Sequence, residues 1–436
     1  MESGNCKSAM DRLYPQKVRY VFVLLQLILL YMPHVALFSI WTDNGPIPGS
    51  LCYFFSLLAA PYFLVNIKKL KWPPWYLMAF IVFIVVWAVV QMPRYGLSKS
   101  ILHWSFALYL HVLLLTFGND FSREQWLKLL ETGACVFALL HLGYALINGE
   151  YYLKMLKGYF DGSSNGYYAS LIPSMTRGGR NLDATWLALG AYFVRGKKKA
   201  FYFSYALLYS FVVSSRVGII GLGCVVLWSL IYDPMYRLNG KRLKWYILYA
   251  AVMAMVLICT GCVQGLLSRI GIHLPVPSQL FGIVSRQEAE VMAAGLPSTG
   301  FFSGREYMWQ LAPEMFSDNP LGYGVGNALR VMRAEYGYTK FEDVMHNVFL
   351  QLTLDEGIVG AVWFVGIVIL FLASQWKLRP RLLEKPIAVF FFTYLILSLV
   401  QFHGGEALMH FTMAVGIACP SLLFAKDTEK PEQLET

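Results

Sequence analysis

Three side chains in this sequence combine a reactive type with a telling position: Arg216, Arg305 and His346. Arg216 sits in Ser214-Ser215-Arg216-Val217-Gly218 between two apolar stretches. An arginine there costs at least a few kcal/mol (about 2.5 or more) unless it reaches the interface or meets an anion. Arg305 follows Ser303-Gly304, and His346 lies in Met345-His346-Asn347 at the edge of an apolar segment. A guanidinium is a forked donor that stays cationic at any relevant pH. Two of them suit an anionic group, such as a leaving group whose negative charge grows as a bond breaks. A neutral imidazole, with an ordinary pKa of about 6.5, can take the proton of an attacking hydroxyl. Each residue also has a plainer use: Arg216 as a snorkelling helix anchor, and His346 as an interfacial side chain bonded to backbone or water. His346 can equally orient an attacking group or hydrogen-bond an anion.

The elements that must hold these residues are membrane helices. The 436-residue chain is 57% hydrophobic and only 14% charged, with a mean hydropathy of +0.50, far more apolar than a soluble domain. Apolar runs long enough to span about 30 Å of hydrocarbon recur throughout. The fold expected is an all-α polytopic membrane protein with about twelve transmembrane helices and a large periplasmic loop of short helices between the ninth and tenth. The spans fall near Tyr20 to Ile40, Ser50 to Ile67, Pro74 to Met92, Ile101 to Phe117 and Trp126 to Ile147. Seven more fall near Leu182 to Val194, Ala200 to Ser214, Val217 to Tyr232, Trp245 to Val263, Gly357 to Ala373, Pro386 to Phe402 and Ala407 to Phe424. The first run follows four basic residues and lacks a small-residue cleavage site, so it reads as a retained helix.

Five segments follow from this, and a tail. Residues 1–147 carry the first five spans, 148–181 a first periplasmic loop, 182–263 spans six to nine, 264–345 the large loop, 346–425 the last three spans, and 426–436 a polar cytoplasmic tail. Orientation comes from the basic clusters Lys68–Lys71, Arg195 to Lys199, Arg237 to Lys244 and Lys377 to Lys385, all of which fall inside when the N-terminus is cytoplasmic. The same clustering explains the net charge of +10 without nucleic acid. Four of the seven cysteines lie within apolar runs, as small hydrophobes do. Cys259 and Cys262 form a C-x-x-C that could pair in an oxidising compartment.

Within the large loop, Ser303 and Glu306 have capping-box spacing ahead of Tyr307, Met308, Leu311 and Met315, so an amphipathic helix is expected to start there. The run Asp318-Asn319-Pro320-Leu321-Gly322-Tyr323-Gly324-Val325-Gly326 breaks it, and a second helix is expected from Asn327. Capping and turn formation account for Glu306 and Asp318. The alternating glycines follow no predicted strand, which argues against a nucleotide loop. No Asp-x-Asp pair occurs, so a carboxylate-held metal lacks its usual support. His34, His103, His111, His141, His403 and His410 show no metal spacing and read as packing or interfacial residues. Trp75, Trp104 and Trp126 read as an interfacial belt. Tyr159, Phe160, Tyr167 and Tyr168 can stack on sugar rings or simply pack.

Taken in order, Ser-Ser-Arg-Val-Gly, Ser-Gly-Arg with Trp309 four residues on, Asp-x-Pro-Leu-Gly-x-Gly, and His-Asn-x-Phe-Leu-Gln running to Glu356-Gly357 resemble the O-antigen ligase and polymerase family, most strongly from about Arg177 to Phe371. The resemblance implies a metal-independent, inverting glycosyl transfer from an undecaprenyl-diphosphate-linked glycan to a sugar hydroxyl at the periplasmic face of the bacterial inner membrane, with no cofactor. Polymerase activity is preferred. The alternative is a ligase that uses lipid A-core as acceptor. The family's functional arginines match Arg216 and Arg305, and its loop histidine matches His346. Arg180, beside Arg177, resembles an arginine placed before a helix in polymerases. Implied partners are the donor, a glycan or lipid A-core acceptor, the bilayer and other polysaccharide-assembly membrane proteins. A flippase for the same lipid-linked glycan is the competing class, with Arg216 lining its path. The chain shows no internal repeat of the kind many transporters carry.

Overall fold

A computed structural model describes residues 14–31, 40–42, 45–47, 61–62, 64, 75–95, 117–118, 121–164, 172–175, 179–233, 235–268, 271–281, 283, 305–324, 326–338, 345–376 and 384–401. The described residues are helical apart from turns and two three-residue strands. These strands, Ile40–Thr42 and Gly45–Ile47, pair antiparallel with Ile40 opposite Ile47. The first apolar run is therefore helical over Gln16–Tyr31, and Ile40 lies in a strand. Three described helices are long and apolar enough to cross a bilayer: Arg123–Ile147, Arg242–Cys259 and Val348–Gly366. The expected spans Ser50 to Ile67, Ile101 to Phe117 and Ala407 to Phe424 lie outside the described residues save for a few positions.

The chain divides into two compact units. The first comprises residues 1–33, 38–133 and 311–436. In it the buried Arg19 has partners within the unit, donating to the Phe117 carbonyl at 3.1 Å and lying 5.6 Å over the Tyr62 ring. The helix Trp75–Tyr95 runs along the helix Val348–Trp376, where Phe83 stacks on Trp363 with ring centroids 5.5 Å apart. Gln91 then donates to the Leu321 carbonyl at 2.8 Å. Trp126, assigned to the interfacial belt, is instead fully buried against Phe121. An indole is large enough that burying it stabilises more than wetting its rim.

The second unit comprises residues 34–37 and 134–310. Its centre is the packing of the helix Arg216–Tyr232 on Gly179–Gly190, with Lys197–Val212 beside both. Gly218 permits that approach: a Cβ there would stand 2.8 Å from the Ala184 Cβ and 2.7 Å from the Ser210 Oγ. At the other end of Arg216–Tyr232, Lys199 pairs with Asp233 at 2.7 Å and lies 4.8 Å over the Trp228 ring. The helix Gly240–Cys259 stops before Val263, where the expected span ended. Gly261 takes φ +79 and presses on the Tyr159 backbone, and a short helix, Cys262–Ser268, follows. Both C-x-x-C thiols are free, and Cys262 accepts from the Thr260 hydroxyl at 3.4 Å.

Candidate functional site

In the second unit, Arg216 opens its helix. Ser215 is the N-cap, and its hydroxyl accepts the Gly218 amide at 3.2 Å. A cation at a helix N-terminus opposes the positive end of the helix dipole, so the charge of Arg216 gains nothing from its own helix, and guanidinium and helix end together favour an anion. The preceding residue, Ser214, is buried and holds φ +51, a conformation costing a non-glycine residue about 1–2 kcal/mol. Three bonds hold this junction. Arg180 donates from Nε to the Val213 carbonyl at 3.0 Å, and the Tyr159 hydroxyl donates to the Val212 carbonyl at 2.9 Å. The Tyr159 hydroxyl also meets Ser214 Oγ at 3.1 Å, where Ser214 must be the donor. Arg180, from a separate helix, thus bonds the backbone of the turn that leads into Arg216, and that turn holds the strained Ser214.

Three residues past Arg180, on the same helix, Asp183 anchors a buried polar cluster that the sequence does not announce. Asp183, wholly buried, accepts the Met175 amide at 2.9 Å and the Tyr209 hydroxyl at 3.4 Å, with His141 Nε2 at 3.5 Å. His141 Nδ1 lies 2.6 Å from the Tyr205 hydroxyl. Burial first and the Asp183 carboxylate second push the Tyr152 phenol up to about 12. One signal was available: an aspartate three residues past Arg180 at the head of an apolar run. Arg305 also belongs to this unit and lies half-buried, with its carbonyl accepting the Trp309 amide at 3.1 Å. The helix behind it begins at Glu306, so Glu306 takes its first position and not the third. Ser303, the expected cap, lies outside the described residues, as does Arg177.

His346 belongs to the first unit. It too carries a positive φ, +54, and its Nδ1 stands 3.1 Å from the Gln401 carbonyl. A carbonyl oxygen only accepts, so Nδ1 bears the hydrogen and the basic lone pair of the neutral ring is on Nε2. The neighbours fasten the same turn. The Asn347 side chain donates to the Leu399 carbonyl at 2.9 Å, the Val348 amide to the Ser398 carbonyl at 2.9 Å, and the Asn347 Oδ1 accepts the Leu350 amide.

The helix that follows breaks at Gly357, φ +68. The glycine-rich run packs into this break. The Tyr323 amide reaches the Leu354 carbonyl, Gly324 the Asp355 carbonyl, and Ile358 the Pro320 carbonyl, each at 2.8 Å. The contact is backbone against backbone: a Cβ on Gly357 would lie 2.3 Å from the Leu321 carbonyl carbon, and one on Gly322 2.4 Å from the Gly357 nitrogen. Asp355 completes the joint by accepting from the amides of Gly326 and Ala328 and from the Gln351 side chain at 2.7 Å. Gln351 also accepts the Met345 amide at 2.9 Å, beside His346. Glu356 is 1% exposed, and neither carboxylate oxygen has a hydrogen-bond partner among the described residues. Gly360, where a Cβ would fall 2.1 Å from that of Glu356, leaves it room. Among the described residues no group of three His, Cys, Asp or Glu side chains could hold a metal.

Residues 201–365 match the family model described as O-antigen ligase, and this segment carries Arg216, Arg305 and His346 but not Arg180. Over it the resemblance read from the motifs is shown: the segment is an O-antigen ligase family domain in an integral membrane protein. No curated protein matches the chain.

Proposed function

We propose that this chain is a glycosyltransferase of the bacterial inner membrane that moves a glycan from an undecaprenyl-diphosphate carrier to a sugar hydroxyl at the periplasmic face, as a polysaccharide polymerase. The observation that carries the reading is the family match across Arg216, Arg305 and His346. His346 supplies the base. With Nδ1 committed to Gln401, Nε2 takes the proton as the acceptor oxygen attacks the anomeric carbon. The bond from that carbon to the diphosphate oxygen breaks on the opposite face, so the configuration inverts. Both electrons leave with the diphosphate, and the guanidiniums of Arg216, Arg305 and Arg180 take up the charge without a metal.

A ligase acting on lipid A-core is the second reading, favoured by the description of the matched family model. Donor chemistry is common to both, and only the acceptor differs. The test is the purified protein in detergent with carrier-linked glycan and, separately, each acceptor. Longer carrier-linked chains support the polymerase, and a glycosylated lipid A-core the ligase. Movement of the lipid-linked glycan across vesicles with no new glycosidic bond under either condition would make the protein a flippase and overturn both.

A further inference from the structure

A cavity of about 660 Å³ opens in the first unit, lined by Arg94, Asp318, Tyr323, Arg330, Glu335 and Tyr336 among others. Its size falls in the range of about 300–1,000 Å³ typical of small-molecule clefts. The helix Ala328–Glu335 contributes Arg330 and Glu335, the end of Trp75–Tyr95 contributes Arg94, and the turn at Asp318 joins them. The lining is ordered before any ligand arrives. The Tyr336 hydroxyl donates to Asp318 at 2.5 Å, and the Tyr323 hydroxyl donates to the Met315 carbonyl at 2.8 Å while lying 3.1 Å from that of Tyr336. Burial, followed by the bonds to Asp318 and Tyr323, raises the Tyr336 pKa, so this phenol remains a donor. The cavity is also tied to the His346 turn. Asp355 caps the helix Ala328–Glu335, and its partner Gln351 holds the Met345 amide.

Two guanidiniums face two carboxylates, so the formal charge of the lining balances. A site for a bare phosphate would be cationic throughout. Balanced forks of donors and acceptors beside two phenol rings match a polyol, whose vicinal hydroxyls both give and accept hydrogen bonds and whose C–H face packs on an aromatic ring. On the expected topology Arg94 follows the third span and emerges on the same outer side as the loop. We infer that this cavity is a glycan subsite that seats a sugar residue of the transferred chain among Arg94, Asp318, Arg330 and Glu335. The inference rests on the glycosyl-transfer reading for its ligand.

The test separates the two. The oligosaccharide repeat unit, freed from its carrier by mild acid, is titrated calorimetrically into full-length protein in nanodiscs, alongside transfer assays with the carrier-linked form. Wild-type protein and Arg333→Ala, on the same helix outside the cavity lining, should bind alike. Arg330→Ala and Glu335→Gln, both at exposed positions, should each weaken binding about tenfold and raise KM with kcat little changed. Equal binding by all four proteins would overturn the subsite even if transfer proceeds. Binding that depends on Arg330 and Glu335 in a protein that transfers nothing would keep the subsite and sink the transferase reading. Inorganic phosphate that displaces the oligosaccharide stoichiometrically would make the cavity an anion site and overturn the assignment.

Discussion

Asp355 caps Ala328: a carboxylate on a helix long and apolar enough to cross a bilayer accepts, at 3.0 Å, the first amide of the short helix Ala328–Glu335. The same carboxylate takes the Gly326 amide and the Gln351 side chain. Three donors converge on one buried side chain, so Asp355→Ala should lower unfolding stability by at least about 3 kcal/mol, given roughly 1.5–3 kcal/mol for each bond to a charged partner. Asp355→Asn, which keeps an acceptor oxygen, should lose less. Equal melting of Asp355→Ala and wild type in detergent would show that the cap is not stabilising.

The glycine pair makes a second prediction. Gly357→Ala and Gly322→Ala each place a Cβ within 2.4 Å of backbone and force a positive φ on alanine. Gly337 shares the positive φ but has open space around it. Gly337→Ala should therefore cost about 1–2 kcal/mol, the conformational term alone, while the other two should impair folding outright. Thermal melting of the three variants side by side is sufficient. A Gly357→Ala protein as stable as Gly337→Ala would contradict the packing described.

If His346 is the base as proposed, His346→Ala should reduce kcat by about 10²–10⁴ without a comparable change in melting temperature. The contact that fixes its ring is to the main-chain oxygen of Gln401, so Gln401→Ala should retain near wild-type turnover. Initial rates of glycan transfer decide both. Wild-type kcat in His346→Ala would remove the histidine from the mechanism.

Arg180 and Arg216 differ in what a lysine can replace. Arg180 holds the Val213 carbonyl through Nε, a donor lysine lacks at that place. Arg180→Lys should therefore lose about tenfold or more in rate with its charge intact, through misplacement of the junction. A full rate in Arg180→Lys would leave only its charge in play. Arg216→Ala should abolish transfer in protein that still melts normally.

Lys199 supplies a pH dependence. Burial lowers its pKa, against the opposing pull of the Asp233 hydrogen bond. A folded pKa below the unfolded value means that the unfolded chain holds the proton more tightly. Stability therefore rises as pH climbs from the folded pKa toward about 10.4, and is reduced below it. Asp233→Asn removes the main opposing effect and should steepen that rise between neutral pH and about 10. A melting temperature of Asp233→Asn that falls with pH over this window would contradict the sign.

The sequence made some parts legible and hid others for physical reasons. Apolar length alone located Arg123–Ile147, because hydrocarbon thickness leaves a helix little choice. The span expected from Pro386 to Phe402 holds a helix of 12 residues, Pro386–Leu397, shorter than a crossing needs. The Asp318 to Gly326 run is readable as a helix break, but its backbone partner at Gly357 is not. Glycine within an apolar helix looks the same whether or not another backbone lies on it. Trp126 was misassigned because a tryptophan near a helix end suits either an interface or a core, and only packing decides. The Asp183 cluster joins residues from four separate segments, so no local pattern announces it. The Nδ1 hydrogen of His346 depends on a carbonyl supplied from the C-terminal part of the chain.

The joint at Gly357 also limits how the protein can open. The stretch from Pro320 to Gly324 is fastened to a membrane helix through three main-chain bonds. Main-chain bonds are not altered by side-chain changes and are costly to break where water is scarce. This stretch behaves as a strut. On the proposed glycosyl transfer, any movement that admits the donor and releases its carrier is expected to hinge elsewhere and leave the Gly322–Gly357 contact closed.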